Sequence, residues 1–261
     1  MENKDVMYHI NLSKSDIKGA AFAILTGDPK RVELIANYLE KSEKIKENRE
    51  YTSYLGELEG QKVVVISTGI GGPSTAICME ELAQIGVKNF IRVGTSGGMQ
   101  KNVCAGDIVI ATGAIRQEGT SKEYMPVEFP AVADFDICAA LKVAAINQKI
   151  PYHMGIVHCK DSFYGQHSPD RMGVSYELNN KWSAWLRGGT LCSEMESAAM
   201  FVLASNLNLK AGTVLLAIWN QERDKEGFSQ EEKCFEIERA IKVAVEALKN
   251  LISSARSTLS Q

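Results

Sequence analysis

Residues 63–74 read Val63-Val64-Val65-Ile66-Ser67-Thr68-Gly69-Ile70-Gly71-Gly72-Pro73-Ser74, and their order decides the fold class. Four consecutive apolar, β-branched residues make a strand with both faces covered, the habit of a central sheet between helices. Glycines follow at once, then a proline where a helix can begin. The same succession recurs along the chain. Strand-like apolar runs at Ala20–Leu25, Phe90–Val93, Ile108–Ala111, Met154–Val157 and Thr213–Trp219 each end in small residues or near glycine. Helical patterns occupy Pro29–Leu39, Pro73–Ile85, Asp134–Gln148, Glu196–Ser205 and a long amphipathic Glu231–Leu251. Tyr51–Leu58, the turn at Glu59-Gly60-Gln61 and Val63–Ser67 read as a hairpin. The pattern predicts α/β architecture: a single domain over residues 1–261, an α/β/α sandwich with a central mixed β-sheet flanked by helices. The first few and last few residues are expected to be poorly ordered.

Bulk properties narrow the function. Twenty-nine basic against 32 acidic side chains leave −3, so no general field draws the chain to nucleic acid or an anionic membrane. An anionic ligand must therefore meet a local cluster of charge. Cys78, Cys104, Cys138, Cys159, Cys192 and Cys234 are scattered without a CxxC pair or a histidine at ligand spacing. That predicts reduced thiols, a reducing compartment and no structural zinc. The start, MENKDVMYHI, has no apolar signal-peptide core, and the longest apolar runs fall well short of a membrane span. The expected location is cytoplasmic.

Three glycine-rich turns stand out: Thr26-Gly27-Asp28-Pro29-Lys30-Arg31, Thr68–Ser74 and Gly94-Thr95-Ser96-Gly97-Gly98. Glycine lets main-chain N–H groups approach an anion, and a helix start adds a favourable dipole. Ser74 stands where a dinucleotide fingerprint needs glycine, and no turn ends in Gly-Lys-Ser/Thr, so neither familiar nucleotide motif is met. Arginines sit beside the turns. Arg31 follows the first; taken singly, an arginine there is more often a surface residue. Arg92 lies inside the apolar stretch Asn89-Phe90-Ile91-Arg92-Val93, where a buried guanidinium requires an anionic partner.

The stretch Leu191–Met200, LCSEMESAAM, places Glu194, Met195 and Glu196 between an apolar lead-in and an apolar helical run. Carboxylates accept from vicinal hydroxyls and a thioether can cover a ring face, which suits a sugar. By spacing alone the same residues also describe a solvated first helical turn.

Taken together, Gly27-Asp28-Pro29-x-Arg31, Arg49-Glu50, Ser67–Ser74, Arg92-x-Gly94-Thr95, Glu128–Asp134, Phe163-Tyr164 and Glu194-Met195-Glu196-Ser197-Ala198 carry a resemblance. The chain is similar, from about His9 to its final helix, to the hexameric nucleoside phosphorylase family, on its pyrimidine branch. The resemblance implies reversible phosphorolysis of uridine to uracil and ribose 1-phosphate. It implies that Gly27, Arg31, Arg92 and Thr95 hold phosphate, with Arg49 arriving from a neighbouring subunit. Thr95, Met195 and Glu196 would bind ribose, and His9 of a neighbour would reach its 5′-hydroxyl. Phe163, Gln166 and Arg171 would contact the base, with Ile218 and Trp219 as its wall. The catalytic set implied is Arg92, Thr95, Glu196, Gln166 and Arg171. No organic cofactor is implied; inorganic phosphate is the co-substrate. Glu50, Ile70 and Ser74 match positions that hold a monovalent cation such as potassium between subunits, although Glu50 could equally pair with a lysine. Borrowed residues imply a dimer with shared sites within a hexamer.

Two departures from the family pattern bear on the base. The usual Phe-Tyr-x-Gly-Gln-x-Arg becomes Phe163-Tyr164-Gly165-Gln166-His167-Ser168-Pro169-Asp170-Arg171, so the next arginine is five places beyond Gln166. Arg171 looping back, or His167 substituting, would fill the gap. Asn220 stands where purine-specific relatives carry an aspartate that protonates the leaving base, which counts for a pyrimidine. The rival readings are a purine nucleoside phosphorylase, a nucleosidase using water, and a nucleoside-sensing protein without turnover.

Overall fold

The computed structural model describes residues 5–227 and 233–259. The terminal residues expected to be poorly ordered fall largely outside these, as do Glu231 and Glu232 of the long helix read from the sequence. Among the described residues ten strands form one mixed sheet: β1 (Phe22–Thr26), β2 (Glu40–Asn48), β3 (Tyr51–Leu58), β4 (Gln61–Ser67), β5 (Asn89–Gly98), β6 (Ile108–Gln117), β7 (Ala131–Val132), β8 (Tyr152–Lys160), β9 (Cys192–Glu194) and β10 (Lys210–Asn220). The helices are α1 (Lys30–Ala36), α2 (Gly72–Ile85), α3 (Thr120–Tyr124), α4 (Phe135–Asn147), α5 (Phe163–His167), α6 (Ser175–Arg187), α7 (Ser197–Asn206), α8 (Gln221–Lys225) and α9 (Glu238–Leu259), with a 3₁₀ turn at Pro169–Arg171.

The strand order is β2-β3-β4-β1-β5-β9-β8-β6-β10, and β10 returns to pair with β5. The strands β5, β10, β6, β8 and β9 thus close a ring, while β1, β4, β3 and β2 continue from it as an open wing. β5 belongs to both. Its residues 89–93 run parallel to β1, Gly97 and Gly98 pair with β9, and β10 lies along its other edge throughout. β10 separates the helical layers. A Cβ on Gly212 would lie 2.3 Å from Ile137 of α4, whereas the next residue, Thr213, accepts a hydrogen bond from Ser197 of α7. Successive strand residues point to opposite faces, so α4 and α7 cover opposite sides of the sheet. The mixed sheet with flanking helices is the architecture read from the sequence.

The expected strands and helices are present, most with longer strands than the apolar runs alone indicated. The hairpin is confirmed: β3 and β4 pair antiparallel around Glu59 and Gly60, both with positive φ, the two-residue turn whose twist matches its strands. The long C-terminal helix begins later than expected, at Glu238, and runs on to Leu259. One reading needs correction. Gly94–Gly98 is not a turn but the second half of β5, held in line by register with Leu215–Asn220 of β10. Asn220 occupies the space a side chain on Gly98 would need, so glycine there permits the close strand crossing.

Candidate active site

The carboxyl ends of β1, β4, β5 and β9 meet a single cleft of about 1000 Å³. An opening of this kind beyond parallel strand ends is the usual ligand position in α/β sheets. Arg92 is its anchor. It lies on β5 two residues before Gly94 and therefore shares its face; a Cβ on Gly94 would stand 2.7 Å from the guanidinium Nη2. Glycine at 94 leaves room for the guanidinium to lie flat along the strand. Arg92 is buried, pairs through Nη2 with Glu196, and has its Nε 3.5 Å from Glu194. Among the described residues, Nη1 and Nε have no hydrogen-bond acceptor of their own. Burial works against the charge of Arg92, but Glu196 and Glu194 outweigh it and the guanidinium is held more basic than usual. Burial raises the Glu196 carboxyl in turn, with Arg92 pulling the other way.

Glu194 and Glu196 divide their duties. Glu194 accepts from the main-chain N–H of Glu196 at 2.9 Å and of Ser197 at 3.0 Å, capping α7 with a negative charge at its positive end. Glu196 turns the other way and accepts from Gly71 N–H at 2.7 Å. That bond depends on Gly69 and Gly71, both with positive φ, in the turn after β4. Both carboxylates are buried, so the solvated-turn reading of this stretch does not hold.

Arg31, in the first turn of α1, lines the same cleft with Gly27, Thr95, Met195 and Glu196. Burial lowers its basicity, as does the nearby charge of Arg92, while Asp28 opposes both. Gly27 passes within 3.2 Å (measured from a built Cβ) of the Gly69 carbonyl, so the first two glycine turns converge here. Two mutually repelling guanidiniums beside a buried carboxylate define a place for a second anion.

The far end of the cleft is aromatic. Phe163, 51% exposed, sits 4.3 Å from the His167 ring, and His167 sits 5.9 Å from Trp219. Ile218 and Phe235 complete this wall. Ile218 reaches it because a bulge between Ala217 and Trp219 breaks the register of β10 with β5. Burial and the charge of Lys160 lower the pKa of His167, which favours a neutral ring.

Other residues singled out from the sequence lie elsewhere in this chain. Gln166 is buried in an adjoining cavity of about 420 Å³, its amide taken by Ser193 Oγ (2.7 Å) and Gln221 Oε1 (3.1 Å). Arg171 is exposed on the 3₁₀ turn, its guanidinium 5.7 Å from the Tyr164 ring, and lines neither cavity. His167 lines both. The pentapeptide spacing to Arg171 is taken up by the Pro169 turn, which carries the chain outward, so the loop-back expected of Arg171 is not made. Asn220 does not face the cleft wall: it donates to the carbonyls of Gln100 and Val103 and accepts from the N–H groups of Glu222 and Arg223, capping α8.

His9 and Arg49 are outside the cleft of their own chain. His9 is anchored, its Nδ1 2.6 Å from Glu81, and Arg49 stacks 5.7 Å over Tyr8 at the tip of the β2–β3 turn. Glu50 and Ser74 meet across Gly69, and Ser74 Oγ is 3.3 Å from the Ile70 carbonyl. The Glu50 side chain and Ser74 thus flank Gly69 on the turn that carries Ile70. Among the described residues no group of three or more His, Cys, Asp or Glu side chains could hold a metal ion, and no helix is long and apolar enough to cross a membrane.

Three residues of consequence escaped the sequence reading: Lys160, Ser193 and His158. Lys160 ends β8, is buried, lines both cavities, and donates to Ser193 Oγ at 2.8 Å. His158 contacts the same hydroxyl at 3.0 Å and Gln117 Oε1 at 2.7 Å, with Trp185 stacked on its ring. A lysine and a histidine closing the apolar strand Met154–Val157 were the available signal, the same anomaly that marked Arg92.

Residues 21–255 match the family described as the phosphorylase superfamily. The chain is 55% identical to uridine phosphorylase of Treponema pallidum over 95% of each chain. It is 40% identical to uridine phosphorylase of Klebsiella aerogenes over 96% of this chain and 100% of that one, and 39% identical to the Escherichia coli enzyme of the same name over the same shares. The chain belongs to the phosphorylase superfamily.

Proposed function

We propose that this protein is a pentosyltransferase that catalyses the reversible phosphorolysis of uridine to uracil and ribose 1-phosphate, as the names of its relatives indicate. The observation that carries this reading is the pairing of Arg31 and Arg92 with Glu196 and Met195 in one cleft that ends in an aromatic wall. Cleaving a glycosidic bond builds positive charge on the pentose ring. A phosphate gripped by Arg31, Arg92, Gly27 and Thr95 supplies both the nucleophile and a counter-charge to that ring. Holding two reactants in place can lower the barrier by up to about 7–11 kcal/mol. Glu196, fixed by Gly71 and Arg92, presents its carboxylate to the ribose hydroxyls while Met195 covers the ring. Phe163, Ile218 and Trp219 receive the base.

The test is release of free base from uridine, thymidine and inosine, each with and without phosphate. Uracil appearing only with phosphate supports the reading; hydrolysis in plain buffer would instead indicate a nucleosidase, and inosine cleavage a purine enzyme. A nucleosidase has no use for the Arg31–Arg92 pair, and a sensor has no use for a phosphate site.

The finer assignments belong to the same proposal. The chain acts as one domain, without organic cofactor, in the cytoplasm, as a dimer with shared sites inside a hexamer. His9 and Arg49, which lie outside their own cleft, serve the neighbour's ribose and phosphate. Glu50, the Ile70 carbonyl and Ser74 would hold a potassium ion, for which oxygen donors are the suitable chemistry; equal activity in sodium and potassium removes that assignment. Ile70, 78% exposed beside these donors, is an apolar residue suited to a subunit contact.

A further inference from the structure

We propose that Lys160 is a catalytic residue of this enzyme, donating a hydrogen bond from its ammonium to a carbonyl oxygen of the departing base. The proposal rests on the phosphorolysis reading above and names the group that takes the charge on the base side.

The need for such a group follows from the cleft itself. The departing base takes the bonding electrons and becomes an anion, and the residues that wall its end are Phe163, His167, Ile218 and Trp219. None of these carries a fixed positive charge, and burial works against a charge on His167. Arg171 stacks on Tyr164 outside the cleft, and the Gln166 amide is held by Ser193 and Gln221. Lys233 lies 6.0 Å from the Trp219 ring but is exposed, where water weakens its field. Lys160 alone among the lysines lining the cleft is buried, and it stands three residues before Phe163.

Its bonding is incomplete. An ammonium offers three N–H donors, and among the described residues the one hydrogen bond it makes is to Ser193 Oγ. Among the described residues no carboxylate oxygen lies within 4 Å of it; Glu194 and Glu196 act on it from farther away, and burial lowers its basicity. A buried ammonium without a paired carboxylate is costly, and a ligand that develops negative charge relieves that cost as it reacts. Ser193 fixes the direction of the side chain through the bonds it shares with Gln166 and His158.

The reaction then balances as follows. An oxygen of hydrogen phosphate dianion bonds to C1′ as the C1′–N1 bond breaks. The bonding pair leaves with the base and spreads over N1, O2 and O4, where Lys160 donates to one carbonyl oxygen. The proton first carried by the phosphate passes to the base, giving uracil and ribose 1-phosphate dianion. Lys160 keeps its proton throughout.

The experiment compares uridine with 5-fluorouridine, whose base is the more acidic leaving group, in the unsubstituted enzyme, Lys160→Met and Lys160→Arg. Lys160→Met is expected to lose about 100-fold in kcat/KM for uridine, the scale of one oxyanion-stabilising donor, and much less for 5-fluorouridine, with KM for phosphate unchanged. Lys160→Arg should recover part of the loss. Equal losses for both nucleosides, or a main effect on phosphate KM, would overturn the proposal. Should Lys160→Met fail to fold, 2-thiouridine and 4-thiouridine test the unsubstituted enzyme. A sulfur acceptor at the carbonyl met by Lys160 should slow cleavage about tenfold, the value of one charged hydrogen bond, and indifference to both would overturn the proposal. Absence of any uracil from uridine and phosphate would instead refute the underlying reading.

Discussion

Arg92 serves two partners, and its replacement tests both. Removing the guanidinium takes away the phosphate donor proposed above and leaves Glu194 and Glu196 buried without their counter-charge. Arg92→Ala should lose about 100-fold in kcat/KM for phosphate and unfold more easily, by about 3–5 kcal/mol. A phosphate titration and a melting curve read the two effects separately; near-normal turnover at low phosphate would remove Arg92 from the site. His158 makes a different prediction. Burial, with the charge of Lys160, lowers its pKa to about 3, so the ring is neutral in the folded protein. Unfolding returns it to the ordinary value near 6.5, and the unfolded chain then binds the extra proton between those limits. Stability from this residue is therefore present above about pH 6.5 and falls as pH drops toward 3, by roughly 1.4 kcal/mol per unit at most. His158→Gln should show a shallower decline of stability over that interval in denaturant titrations; a parallel decline would contradict the neutral ring.

At the scale of elements, α8 hangs on Asn220. The side chain offers two donors to the loop at Gln100 and Val103 and an acceptor to the helix start. Asn220→Asp would set a carboxylate against two carbonyl oxygens, and should destabilise by about 2 kcal/mol without granting inosine cleavage. A stable variant that cleaves inosine would overturn this. The sequence marked Asn220 only as standing where purine-specific relatives carry an aspartate; its capping of α8 could not be read from that position in a motif. Apolar strands and capped helices were legible, since periodicity and punctuation are written locally. β2 was not: Glu40–Asn48 is almost wholly charged and polar, as suits an edge strand that must not recruit another chain. α6 was missed for a related reason, having no buried residue to mark its inner face. The Arg92 end of the cleft was readable because Gly27, Gly94 and Arg92 break local rules in ways only a ligand or a close approach explains. Lys160 and Ser193 were not, because they are joined across elements far apart in the chain.

For the whole molecule, the separation of His9 and Arg49 from their own cleft has a testable result. If each site is completed by a neighbour, Arg49→Ala and Arg92→Ala damage different chains of the same site. Two such inactive variants, dissociated, mixed and reassembled, should recover turnover that neither has alone, because some sites then combine an intact Arg92 with an intact Arg49. Mixtures as inactive as their parents would place Arg49 outside the reaction.

The branching of β5 between ring and wing reaches further. A strand hydrogen-bonded along both edges cannot shift without breaking the ladders on both sides, so Arg92 sits on a firmly held part of the sheet. The aromatic end of the cleft, by contrast, is built by Phe163 and His167 on the short α5 and by the bulged end of β10. Substitutions in those peripheral turns can therefore reshape the aromatic end of the cleft while the Arg92 anchor is left as it is.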